Sequence, residues 1–147
     1  MSRSVGFALL VLAGITCSVS ACSCVPRTDE QKYCQDNFAI VFKTKDNVTV
    51  EGDIRVYQVD LLAIYRTVPV KNLDTNKIYT AVESATCGVT FIADSYYAIT
   101  GYYNVTSGQP TRIQANLCSL NMYFPFDPRR IIEPPECETT DPEKEYA

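Results

Sequence analysis

The chain has 147 residues, 13 of them basic and 17 acidic, with seven cysteines and no histidine. The missing histidine removes Ser-His and Cys-His nucleophiles, zinc-protease motifs and nearly every protein-built catalytic zinc site. The acidic balance argues against nucleic acid and anionic membrane as partners. No spacing of the acids singles out a catalytic pair, so composition points away from an enzyme.

The chain opens on Met1-Ser2-Arg3, runs apolar from Val5 to Ile15, and reaches small residues at Val19 and Ala21. A basic start, a short apolar run and a small-residue cleavage site predict a secretory signal peptide over residues 1–21. The apolar run is too short to span a bilayer. Cleavage after Ala21 would remove Arg3 and Cys17, moving the formal charge from −4 to −5 and leaving six cysteines. An even set, Cys22, Cys24, Cys34, Cys87, Cys118 and Cys137, reads in a secreted chain as a disulfide framework for one small domain.

Strands are predicted at Asn37–Lys45, Asp53–Arg66, Ile78–Val82, Val89–Ala93, Tyr96–Val105 and Thr111–Cys118, from their β-branched and aromatic content. In the second, Ile54 and Val56 share one face while Tyr57, Val59, Leu61 and Ala63 take the other, which predicts a bulge or strong coiling. In the last, Ile113, Ala115 and Leu117 alternate with polar residues, which predicts one buried face. Turns are expected at Asp74–Asn76 and Thr106–Pro110. After Cys118 the prolines leave room only for short helical turns, and the acidic tail, residues 138–147, is expected to be mobile. The sum is an all-β module, a small barrel or sandwich of about five strands, over residues 22–137. Asn47 and Asn104 each open an Asn-Val-Thr sequon at an expected strand–loop junction, so both are expected to be exposed glycosylation sites.

The stretch "CSCVP" carries the chemistry. If Cys22 is the first residue of the mature chain, its α-amine and its own carbonyl oxygen can close a five-membered chelate ring on a metal ion. One residue in front would convert that amine into an amide without a usable lone pair. Cys22 and Cys24 are poorly placed to bond each other, since one intervening extended residue sets their Cα atoms about 6–7 Å apart. Bridged instead to distant parts of the domain, they would fix the segment as a preorganised ridge with Ser23 projecting.

"CSCVP" behind a peptidase site resembles the opening of the tissue inhibitors of metalloproteinases. Further matches are "YCQDNFAIVFKTK", "YTAVESATCG" (Tyr79–Gly88), "YAITGYYN" and "ANLCSL", with Cys137 closing the module. The resemblance implies a mainly β fold, a five-stranded OB-like barrel of netrin type with short flanking helices and three disulfides. It implies the bridges Cys22–Cys87, Cys24–Cys118 and Cys34–Cys137. It also implies that the amine and carbonyl of Cys22 seize the catalytic zinc of a matrix-metalloproteinase-type endopeptidase, with no cofactor of the inhibitor's own. Ser23 would enter the specificity pocket, Cys24, Val25 and Pro26 would lie along the cleft, and Glu83, Ser84, Ala85 and Thr86 would touch its other side.

The sequence departs from vertebrate members in four places. Ser23 replaces a threonine, the Glu83-Ser84 pair sits one place earlier, "YFPF" replaces a tryptophan after Cys118, and the C-terminal domain has no counterpart. A lone, monomeric, extracellular inhibitory domain is expected, with extracellular matrix as a further partner. The runner-up reading is a netrin-like module that inhibits nothing and binds a host or matrix protein.

Overall fold

The computed structural model of the protein describes residues 21–138. The expected signal peptide, residues 1–21, lies outside the described residues except for Ala21, as does the tail beyond Glu138. One helix, α1 (Asp29–Gln35), precedes six strands: β1 (Phe38–Glu51), β2 (Ile54–Thr67), β3 (Leu73–Ala81), β4 (Tyr96–Asn104), β5 (Thr111–Gln114) and β6 (Asn121–Phe124). Five strands close a barrel in the order β1-β2-β3-β5-β4, with β4 pairing back onto β1. All these pairings are antiparallel except β3 with β5. β6 adds to the first half of β4 outside the closed ring. No helix among the described residues is long and apolar enough to cross a membrane.

The barrel interior is filled by alternate residues of the strands, chiefly Phe38, Ile40, Phe42, Tyr57, Val59, Ile78, Tyr97, Ile99 and Ile113. Large β-branched and aromatic side chains suit a pleated surface packed on its inner face. Curvature comes from irregularities in the β1–β2 ladder, which is broken where Tyr65, Leu62 and the Lys45–Asn47 stretch opposite Gln58 fall out of register. Beside Val56 and Tyr57, where a bulge in β2 was expected, the extra residues, Lys45–Asn47, lie in β1 instead, and β2 itself bulges further on, at Leu62 and Tyr65. Bulges of this kind bend long strands round a small barrel.

The structure corrects four details. Val89–Ala93 is no strand, because side chains take its backbone donors. Val89 N–H donates to Thr80 Oγ1 (3.0 Å), Phe91 N–H to the Tyr57 hydroxyl (3.2 Å) and Ile92 N–H to the Tyr97 hydroxyl (2.8 Å). Phe91 thereby plugs the barrel, edge-on to Phe42, Tyr57 and Tyr97. Asp74–Asn76, expected as a turn, lies inside β3. Asn76 N–H donates to Asp74 Oδ1 (3.1 Å), and the β3–β5 ladder shifts register between Leu73 and Ile78. The turn chemistry is there, expressed as a bulge. The strand expected to run to Cys118 stops at Gln114, and Leu117 is exposed although Ile113 and Ala115 are buried. Residues 121–124, expected to hold no strand, form β6.

Gly101 shows how tightly the barrel closes. A Cβ there would lie 2.4 Å from the Gln114 carbonyl oxygen and 2.7 Å from the Phe38 ring. Gly101→Ala is expected to lower stability by about 1–3 kcal/mol through overpacking, measured as a shift in the urea midpoint.

Candidate functional site

Residues 22–26 form no helix or strand and cross the barrel surface as a ridge. Ser23, Cys24 and Pro26 are exposed, and Val25 is 78% exposed. Cys22 is bonded to Cys87 and Cys24 to Cys118, closing sequence separations of 65 and 94 residues. The third bridge joins Cys34 of α1 to Cys137. Long closures of this kind each stabilise a fold by roughly 2–4 kcal/mol. The two ridge bridges touch, with Cys118 Sγ 3.9 Å from Cys22 Sγ and 3.8 Å from Cys87 Sγ. Cys22, Cys24 and Cys118 thus present three sulfurs within 4.8 Å of one another. All three are consumed in disulfides and offer no thiolate, so this cluster is not a metal site.

The loop bearing Cys87 is shaped for its bridge. Ser84–Thr86 makes one 3₁₀ turn after Glu83, and Cys87 sits in the left-handed region at φ 64°. The N–H groups of Thr86 and Gly88 both donate to the Glu83 carbonyl at 3.1 Å. Gly88 is required here, since a Cβ would fall 2.1 Å from the Ala81 carbonyl oxygen. Leu117 N–H donates to the Cys87 carbonyl (2.9 Å), tying this loop to the segment that carries Cys118. Glu83, Ser84, Ala85 and Thr86 are all exposed, on the segment joined to the ridge through Cys87.

Behind the ridge lies a polar anchor that the sequence reading did not single out. Asp36 is fully buried, and its Oδ1 takes an ion pair from Arg27 Nη1 at 2.7 Å. Its Oδ2 accepts from Thr100 Oγ1 at 2.6 Å, and its carbonyl accepts from Arg66. Arg27 Nη2 also donates to the Cys118 carbonyl (3.2 Å). One guanidinium therefore links the end of the ridge, the buried carboxylate and the turn that carries Cys118. Burial alone would raise the Asp36 pKa, but hydrogen bonds from Thr100 and Arg27 outweigh it and hold the carboxyl below its ordinary value.

Of the two sequons, Asn104 ends β4 and is exposed, as expected. Asn47 is exposed too, but it stands inside β1 at a break in the ladder rather than at a strand end.

A closed five-stranded barrel bearing an exposed ridge clamped by two adjacent disulfides defines the class of module. A protein-family model described as tissue inhibitor of metalloproteinase matches residues 20–123, taking in the ridge and the strands of the barrel. The chain belongs to the tissue inhibitor of metalloproteinase family. No curated protein matches it significantly.

The anchor makes two predictions. Arg27→Met leaves a buried carboxylate without its cation and is expected to cost about 3 kcal/mol, at the low end for broken buried pairs because Arg27 keeps some exposure. Because the folded carboxyl is depressed, its stabilisation is complete above the unfolded value near 4 and is lost as pH falls through the folded value. Urea midpoints of the wild type and Asp36→Asn should therefore converge as pH drops below about 4.

Proposed function

We propose that the mature chain begins at Cys22 and is a secreted, monomeric inhibitor of zinc endopeptidases of the matrix metalloproteinase type. The observation that carries this reading is the exposed ridge held by two touching bridges, Cys22–Cys87 and Cys24–Cys118. A segment already rigid loses little conformational entropy on docking, so contact energy goes into affinity. Ala21 is exposed and outside regular structure, which suits removal of the residues before Cys22. The three disulfides fit an oxidising, extracellular setting.

On this reading the α-amine of Cys22, with a reference pKa near 8, gives up its proton at physiological pH for about 1 kcal/mol. Its lone pair and the Cys22 carbonyl oxygen then chelate the target's zinc and displace the water bound there. The zinc belongs to the target enzyme; the inhibitor brings no cofactor. Ser23 enters the specificity pocket, Cys24, Val25 and Pro26 lie along the cleft, and Glu83–Thr86 meet its opposite side. Asn47 and Asn104 carry N-linked carbohydrate. Nucleic acid and membrane are not partners, while extracellular matrix is a further one.

Adding one alanine before Cys22 tests the mechanism, because it converts the ligating amine into an amide and leaves the barrel untouched. The extended protein is expected to lose inhibition of a matrix metalloproteinase panel while its thermal midpoint is unchanged. Undiminished inhibition would refute chelation, and a native terminus without inhibition would favour the non-inhibitory module that binds a host or matrix protein. Ser23→Thr adds one methyl in the specificity pocket and is expected to tighten inhibition by about 0.8 kcal/mol, roughly fourfold, in the same assay.

A further inference from the structure

A cavity of about 430 Å³ lies between α1, the outer face of the barrel and the segment following Pro128. Its size falls in the range of small-molecule sites, about 300–1,000 Å³. Ala39, Ala98, Leu120, Phe124 and Ile132 make most of its lining apolar, and Tyr33 and Tyr65 contribute aromatic rings. Three carboxylates, Asp29, Glu30 and Glu133, share that lining, and no lysine or arginine does among the described residues. Lys32 reaches Asp29 only at 3.8 Å, and Glu30 and Glu133 make no ion pair among the described residues.

The walls are fixed before any ligand arrives. Cys34 of α1 is bonded to Cys137, which joins the helix to the far end of the segment that includes Pro134 and Pro135. At its near end, the N–H groups of Ile131 and Ile132 donate to the Pro128 carbonyl at 2.9 Å and 3.0 Å. We propose that this cavity is a binding site for a small cationic amphiphile. The apolar body fills the space between barrel and helix, and an ammonium head meets the carboxylates of Asp29, Glu30 and Glu133. The rings of Tyr33 and Tyr65 add cation–π attraction. The site is separate from the ridge and does not depend on zinc chelation.

Three probes of equal chain length test it: decyltrimethylammonium, decyl sulfate and 1-decanol, each titrated below its aggregation limit into the secreted protein. Methyl NMR follows Leu120, Ile131 and Ile132, and calorimetry gives the affinities. The cation is expected to shift those methyls saturably and to bind about tenfold tighter than the sulfate. The double variant Glu30→Gln, Glu133→Gln, at two exposed positions, should weaken the cation about fivefold while leaving 1-decanol unchanged. No saturable shift at these methyls, equal binding of cation and sulfate, or an unaltered cation affinity in the double variant would overturn the proposal.

Discussion

Contact between two disulfides is the constraint on which the rest of this molecule depends. Cys22–Cys87 and Cys24–Cys118 meet at sulfur separations of 3.8 Å and 3.9 Å, so the two loops that carry Cys87 and Cys118 are locked into one surface. A segment of five residues with no helix or strand of its own would otherwise sample many conformations. Here its two cysteines are fixed, and only Ser23, Val25 and Pro26 keep side chains free to meet another molecule.

The barrel is organised to hold that surface in place. Gly88 lets the chain turn back against Ala81 so that Cys87 can reach the ridge, and Leu117 binds the Cys87 carbonyl from the other side. Arg27 continues the ridge inward to Asp36, where Thr100 completes the carboxylate's partners from β4. A buried charge is costly unless paired and hydrogen-bonded. Once satisfied, such a network favours one packing of ridge on barrel over its alternatives. The family match takes in both parts, the barrel and the short exposed segment.

Much of this was legible in the residues. Strand content and an irregular second strand follow from alternation and β-branched composition, which left a small barrel or sandwich open; the closed five-stranded barrel followed from the family resemblance. What escaped has specific causes. Val89–Ala93 has the composition of a strand, but its donors go to Thr80, Tyr57 and Tyr97, contacts fixed only by tertiary packing. β6 is a short edge strand beside prolines, with most of its residues exposed, so alternation carries little signal there. Helix α1 did have a local signature, since Thr28 and Gln31 form a reciprocal capping box. At the site, the ridge cysteines were conspicuous through their spacing. Asp36 was not, because a lone aspartate after a helix reads as solvated surface until Arg27 and Thr100 are brought to it by the fold.

The account's central claim concerns a single atom, the nitrogen of Cys22. The most direct measurement is N-terminal sequencing, with intact mass, of the protein recovered in complex with an inhibited zinc endopeptidase. The account predicts that every molecule so recovered starts at Cys22 with an unmodified amine. Recovery of chains that are blocked there, or that retain residues ahead of Cys22, would contradict it.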